Sequence, residues 1–354
     1  MSAPAAPRRL RILTWHVHGN YLHYLSQVPH ELFLVTGGDA PGRVGHLSWG
    51  ANLHEVPAAQ VRERTFDVVL YQARRHYDHD RHAWLSPAQR ALPHIVLEHD
   101  PPQQHPTDTR HWAEAPALLV HVTHFNALMW DSGSLMTRVI EHGVPVPGPT
   151  WDGALGRGVV VVNQLARRGR RLGADLVARV GRELPLDLYG MEAGCAGGLG
   201  EIPNPALAAR LARYRFFFHP ARYTSLGLAL LEAMALGMPV VALATTEVAG
   251  LIRNGENGYA DTRLERLVEV MRSLLADHAL ARAWGEAARL TAQARFGLPR
   301  FVADWNAALR AVLAAPEQVR EEAPGPAWAG IVHGVDGADG VDRARDACSS
   351  QRTR

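Results

Sequence analysis

The sequence predicts an α/β protein built from two doubly wound, Rossmann-like domains facing a cleft. Short apolar strands alternate with helix-forming segments along most of the chain, the pattern of parallel sheets covered by helices. That alternation breaks once, in a Pro- and Gly-rich stretch between Gly143 and Gly158, and then restarts. A length of 354 residues exceeds one ordinary core and suits two.

In the first half, residues 10–16, 31–36, 66–71, 94–98 and 117–122 are short, apolar or β-branched runs. Several lead directly into loop or helix signals, as strands of a wound sheet do. Gly143-Val-Pro-Val-Pro-Gly-Pro149, continuing to Gly158, is predicted to be a linker. The second half opens on Gly158-Val-Val-Val-Val-Asn163, a continuous apolar run suited to a strand buried on both faces. Residues 186–189, 216–219 and 240–244 are its further strands. From Leu264 to about Ala315 the pattern is helical: Leu264, Leu267, Val268, Met271 and Leu274 recur at helix spacing, as do Phe301, Trp305, Leu309 and Val312. The chain thus divides into a first domain at 1–150, a second at 151–298, a helix at 299–315 and a tail at 316–354. The tail is rich in Gly, Asp, Ala and Pro and is expected to be disordered.

Composition excludes several classes. A formal net charge of +2 does not point to nucleic acid. All basic side chains apart from histidine are arginine, so arginine must carry every fixed positive role. No apolar run approaches a membrane span, and no secretory segment precedes the first strand. The two cysteines, Cys195 and Cys348, form no pairing pattern. A cytoplasmic protein is expected.

The most informative stretch runs from Tyr214 to Tyr259. A strand ending at His219 leads through a loop to a helix opening near Ser225-Leu-Gly227. That helix carries Glu232, ends at Gly237, and is followed by a second apolar strand. The first amides of a helix have no internal partners, so a helix start at strand ends is an anion site. Glycine at position 227 lets a phosphate approach the backbone, and Glu232, about a turn and a half on, can accept from hydroxyls of the same ligand. Phosphate beside a diol describes a nucleotide sugar.

Gly227-Leu228 and Glu232-Ala-Met-Ala-Leu-Gly-Met-Pro-Val-Val-Ala242 resemble the donor-binding region of the retaining glycosyltransferases of family 4, which have the GT-B fold. The resemblance implies that Glu232 binds the nucleotide ribose and that the Gly227 and Leu228 amides bind the diphosphate. It also implies that the last helix packs back toward the first domain. The family's first glutamate falls on Thr224, a departure at the point where relatives touch the donor sugar. Thr224 and Ser225 remain candidate contacts with donor sugar or acceptor.

Asn163-Gln-Leu-Ala-Arg-Arg-Gly-Arg-Arg-Leu-Gly173 follows the strand that starts the second domain. A diphosphate needs fixed positive charge, which planar guanidinium groups supply with paired donors. Relatives place basic residues here, and Arg171, then Arg167, are the expected phosphate ligands, although the family's pair is not preserved residue for residue. The alternative is that these arginines only solvate a helix start. In the first domain, His94-Ile-Val-Leu-Glu-His99-Asp100 resembles the family strand whose loop histidine lies near the transferred sugar and donor phosphate, which assigns that role to His99. Glu98 and Asp100 flank it, and alternation sends at least one away from the cleft. The first strand ends in His16-Val-His18-Gly19, where related enzymes line the cleft. His16, His18 and Gly19 are candidate contacts with acceptor or phosphate, or else scaffold. Tyr21 and Tyr24 read as the packed face of the next helix.

Other motifs carry less. His76, His79 and His82, with Asp78 and Asp80 between them, lack a His-Glu-x-x-His pattern and read as a solvated or acceptor-side loop. There is no Gly-x-x-x-x-Gly-Lys loop and no Gly-x-Ser-x-Gly elbow. The resemblance implies a retaining glycosyltransferase that moves a sugar from a nucleotide-diphosphate sugar to a glycan, lipid-linked or small-molecule acceptor. It needs no cofactor and no metal ion, has no nucleic-acid partner, and is compatible with peripheral contact at the inner membrane. The oligomeric state stays open. Two other functions fit the same residues: a non-catalytic nucleotide-sugar-binding protein of a glycan-assembly system, and a sugar-nucleotide epimerase.

Overall fold

Runs of aliphatic and β-branched residues form strands here because both faces of the sheets are covered, which removes any need for polar alternation. The computed structural model describes residues 8–148 and 150–318. In the first sheet, Arg11–Thr14 (β1), Glu31–Thr36 (β2), Leu53–Pro57 (β3), Val68–Tyr71 (β4), His94–Glu98 (β5), Leu118–His121 (β6) and Met136–Val139 (β7) are all parallel. Their order is β3-β2-β1-β4-β5-β6-β7. The second sheet comprises Leu155–Val161 (β8), Leu186–Tyr189 (β9), Tyr214–His219 (β10), Val240–Leu243 (β11) and Gly258–Asp261 (β12), also parallel, in the order β12-β11-β10-β8-β9. Each order reverses once, at β1/β4 in the first sheet and at β8/β10 in the second. A reversal leaves a crevice at the carboxyl ends of the strands, because the two flanking connections depart to opposite faces.

The helices used below are Gly19–Leu25 (α1), His124–Met129 (α2), Ala174–Glu183 (α3), Leu228–Leu236 (α4), Leu264–Ala276 (α5), His278–Phe296 (α6) and Leu298–Gln318 (α7). Apart from residue 149, residues 8–313 form one compact unit, and the helical residues 314–318 fall outside it. The predicted disorder of the tail therefore falls, from 319 onward, outside the described residues.

Three strands are absent from the sequence prediction: β3, β7 and β12. All three lie at sheet edges, where one side of the strand escapes burial. Accordingly β3 exposes His54, Glu55 and Pro57, and β7 exposes Met136 and Thr137, so neither carries a continuous apolar run. The predicted linker is also shorter than expected. The strand β8 already begins at Leu155, and Val144 is tied by its N–H to the Phe296 carbonyl at 2.8 Å.

The last helix α7 meets the first sheet's domain through this same crossing. Arg300 donates to the carbonyls of Glu141 and His142 at 2.9 and 2.6 Å, and Phe301 lies edge-on to Tyr21 of α1 at 5.6 Å. A Cβ at Gly143 would sit 2.4 Å from Phe301, so only glycine lets the two segments touch.

Apolar at every position but Glu232, α4 is buried at Leu230, Leu231 and from Ala233 to Leu236. It stops at Gly237, whose left-handed φ of 90° supplies the turn. The long helix α6 crosses it there, and a Cβ on Gly285 would fall 1.9 Å from the Gly237 carbonyl oxygen, a backbone atom that cannot swing aside. Gly285→Ala is therefore expected to lower unfolding stability by roughly 3 kcal/mol through overpacking, despite alanine's better helix propensity. Gly181→Ala, on the exposed side of α3 with open space around it, should instead be neutral or gain roughly 0.5–1 kcal/mol. Urea unfolding of the two variants checks both signs.

Candidate active site

The carboxyl ends of β1, β4 and β5 are locked to one another by a single side chain. Gln72, just past β4, donates to Thr14 Oγ1 at 2.9 Å and to the Trp15 carbonyl at 2.7 Å. Its amide nitrogen thereby faces β1, which leaves Gln72 Oε1 to accept from His99 Nε2 at 3.2 Å. His99 consequently carries its proton on Nε2 and keeps a lone pair on Nδ1. Burial, reinforced by His18 and His142, holds His99 well below the ordinary imidazole range, so the ring is neutral. His18 stands edge-on to it at 4.6 Å and is likewise pulled down by burial, with Asp100 opposing.

On the other wall, β8 exits into Asn163 and Gln164. Asn163 Oδ1 accepts the Met191 amide at 2.9 Å, and Gln164 Nε2 donates to Glu192 Oε1 at 2.8 Å. These bonds bind the loop after β8 to the loop after β9. Gly173, at φ 84°, starts α3 in the left-handed region, and a Cβ there would lie 2.3 Å from the Pro220 carbonyl oxygen. The loop after β10 is thus drawn against the arginine segment. Arg222 completes that junction by pairing bidentately with Asp175 at 2.7 and 2.8 Å.

Between the walls lies a cleft of about 600 Å³. Of the predicted site residues, His16, His18, Gly19, His99, Thr224, Ser225, Gly227, Leu228 and Glu232 all line it. Arg171 and Arg167 do not. The carbonyl of Arg171 is used to hold the Arg222 amide at 2.8 Å, and Arg167 is exposed and bonded to Gln164. Among the described residues the arginine in the cleft is Arg168, one residue after Arg167 and three before Arg171. Burial lowers its pKa from the ordinary arginine value, and Asp100 across the cleft opposes that. A guanidinium in this setting keeps its charge.

Gly227 caps α4 with φ −69° and ψ 132°, a conformation open to any residue, rather than sitting in the helical first turn as expected from sequence. A Cβ here would meet only His219 Cε1, at 3.7 Å. Neither strain nor crowding therefore demands glycine, and the space beside it belongs to the cleft. No side chain caps this helix, and the Leu228 and Ala229 amides have no acceptor among the described residues. Further along α4, Glu232 Oε1 accepts from Tyr24 Oη at 2.7 Å and from Asn20 Nδ2 at 3.3 Å. Burial raises the Glu232 pKa, and those two donors pull the other way. Asn20 and Tyr24 lie four residues apart on α1 and so share a face. That i,i+4 spacing was visible in the sequence, whereas their partner, more than two hundred residues away, was not.

Two further cleft histidines have no counterpart in the sequence prediction. His142 and His219 are buried and held at about 4 by desolvation, and each has a ring nitrogen without a partner, Nδ1 and Nε2 respectively. The segment His76–Asp80 forms one π-helical turn, and no group of three or more metal-ligating side chains occurs among the described residues. No described helix is long and apolar enough to cross a membrane.

Two wound parallel sheets, with a cleft at their strand ends and a bare helix N-terminus on the second wall, define the fold class: the two-domain GT-B architecture. Residues 198–291, from the loop before β10 to the middle of α6, match the family of glycosyl transferases group 1. Among solved structures, the chain is similar to sucrose-phosphate synthase from Thermosynechococcus elongatus, at 16% identity and a TM-score of 0.65, over 87% of this chain and 100% of that one. It is also similar to Anabaena Alr3699/HepE in complex with UDP and glucose, at 15% identity and a TM-score of 0.62, over 86% and 100%. A third is AviGT4, a glycosyltransferase involved in avilamycin A biosynthesis, at 16% identity and a TM-score of 0.57, over 86% and 98%. No curated protein sequence matches the chain.

Proposed function

We propose that this chain is a cytoplasmic, retaining glycosyltransferase that moves a sugar from a nucleotide-diphosphate sugar to a glycan, lipid-linked or small-molecule acceptor. One observation carries it: the unpartnered Leu228 and Ala229 amides, the Arg168 guanidinium and the Glu232 carboxylate line the same cleft. Amides and guanidinium suit a diphosphate, and a carboxylate about a turn and a half along suits a ribose diol. The complex of the similar Anabaena protein with UDP and glucose supports a donor of this type.

In this mechanism the diphosphate leaves as negative charge builds on it, and Arg168 with the Gly227–Ala229 segment stabilises that charge. Such preorganised help at a developing anion is commonly the largest catalytic contribution. His99 Nδ1, a fixed lone pair, accepts from a hydroxyl of the transferred sugar rather than donating to phosphate. The diphosphate charge is met by protein groups, with no cofactor or metal ion assigned. Two contacts join the walls beside the cleft, Tyr24 Oη to Glu232 at 2.7 Å and Tyr223 Oη to the Pro102 carbonyl at 3.0 Å. Thr224 gives one ground for a second function, binding without turnover, since it removes a carboxylate at the donor sugar.

The test is a panel of nucleotide sugars incubated with the purified protein, reading free nucleoside diphosphate and, separately, binding. One donor should release diphosphate. Arg168→Ala should weaken diphosphate binding about tenfold to a hundredfold, the value of a hydrogen bond between charged partners. Arg171→Ala should change it by less than about threefold. Binding without release in the presence of acceptors would establish the second function, and neither binding nor release would refute the donor site.

A further inference from the structure

Thr224 leaves the second domain without a carboxylate where the transferred sugar is expected, so any carboxylate that reads this sugar must come from elsewhere. Among the described residues lining the cleft, three are acidic: Asp100, Glu201 and Glu232. Glu232 is turned to Tyr24 and Asn20. Glu201 is exposed, in the loop beyond β9. Asp100 stands at the end of β5, directly after His99, on the first domain.

Its main chain is fixed on both sides. The Asp100 amide donates to Glu98 Oε1 at 3.0 Å, and its carbonyl accepts from Trp130 Nε1 at 2.9 Å. Glu98 is itself held by the buried His111, whose Nε2 lies 3.2 Å from Glu98 Oε2. The two carboxylates of this strand end therefore have different tasks: Glu98 is scaffold, and Asp100 is what the scaffold presents. The Asp100 carboxylate takes no side-chain hydrogen bond and no ion pair within 4 Å among the described residues. Its titratable neighbours are His18 on its own wall, which burial pulls toward the neutral form, and the Arg168 guanidinium opposite.

We propose that Asp100 binds hydroxyl groups of the transferred sugar, making from the first domain the contact that Thr224 cannot make. This rests on the donor cleft described above. An ionised carboxylate only accepts, and its two oxygens match a pair of neighbouring hydroxyls. It repels phosphate, while Arg168 across the cleft attracts it. The opposed charges thereby orient a nucleotide sugar, diphosphate toward Arg168 and α4, sugar toward Asp100 and His99 Nδ1.

Calorimetry on the full chain, without acceptor, tests this with UDP-glucose, UDP-N-acetylglucosamine, GDP-mannose and dTDP-rhamnose and with the matching diphosphates UDP, GDP and dTDP. Asp100→Asn keeps the shape and both main-chain bonds. In this variant the ratio of nucleotide-sugar to diphosphate affinity should fall about tenfold or more, as expected for losing a charged acceptor. The ratio removes any general gain from deleting a negative charge, and diphosphate affinity should not fall. An unchanged ratio in a wild type that binds the probes overturns this role alone, as does a loss confined to the acceptor KM in transfer assays. A wild type that binds none of the probes overturns it together with the donor cleft.

Discussion

Acidification from pH 7 to pH 4 is expected to unfold the protein cooperatively, with a midpoint near ~pH 5. His76, His121, His142 and His219 are held at about 4, and His99 well below its usual range, in each case mainly because burial disfavours the charged ring. The unfolded chain takes up these protons near 6.5, before the folded one can. The stability they represent is therefore fully present above 6.5 and is lost as pH falls toward 4. A histidine with that difference contributes roughly 3 kcal/mol across the interval, against a typical total of about 5–15 kcal/mol. Glu232 acts with the opposite sign, since burial raises its folded pKa and its burial is least costly when it is protonated. One carboxyl does not offset several histidines. Far-ultraviolet circular dichroism over this pH range checks the expectation, and a chain still folded at pH 4 refutes it. His121→Asn, which replaces a buried ring outside the cleft, should move the midpoint to lower pH even if it weakens the protein at pH 8.

Glu232→Ala should cost about a hundredfold in kcat/KM for the nucleotide sugar. A ribose diol would place two hydroxyl hydrogen bonds on this carboxylate, and charged acceptors are worth about 1.5–3 kcal/mol each before losses to solvent. Because Glu232 Oε1 also receives Tyr24 and Asn20, part of the effect could be orientation rather than contact. Tyr24→Phe separates the two by leaving the carboxylate in place. It should cost about fivefold or less, mostly in kcat if the cleft closes less firmly. Ribose hydroxyls bond better to the ionised form, so nucleotide binding should lower the Glu232 pKa and release a proton, with affinity falling as pH drops through its raised folded value. A Glu232→Ala enzyme within threefold of wild type would remove Glu232 from the ribose.

What was legible in the sequence follows burial. Strands such as β4, β6 and β11, buried at every position, announce themselves as apolar runs. The edge strands β3, β7 and β12 do not, because half their surroundings are solvent or loop. The helix start at Gly227-Leu228 and the carboxylate at Glu232 were legible for a related reason, since strand, loop and helix lie within one short span of chain. The arginine segment was legible only as a segment. The four arginines are divided between a short helix ending at Arg168 and the tighter turn from Gly169 to Leu172, and Arg168 rather than Arg171 lines the cleft, a choice that no local spacing reveals.

The sequence by itself determined the two wound sheets, the helix start at Gly227-Leu228 with Glu232 further along it, and the threonine at 224, because each is set by residues close together in the chain. Only the tertiary structure decided that Tyr24 and Asn20 reach Glu232, that Gln72 fixes the proton of His99, and that Asp100 rather than Glu98 faces the cleft. Those choices depend on which strand ends the sheet order brings side by side, and parallel connections carry such neighbours tens to hundreds of residues apart.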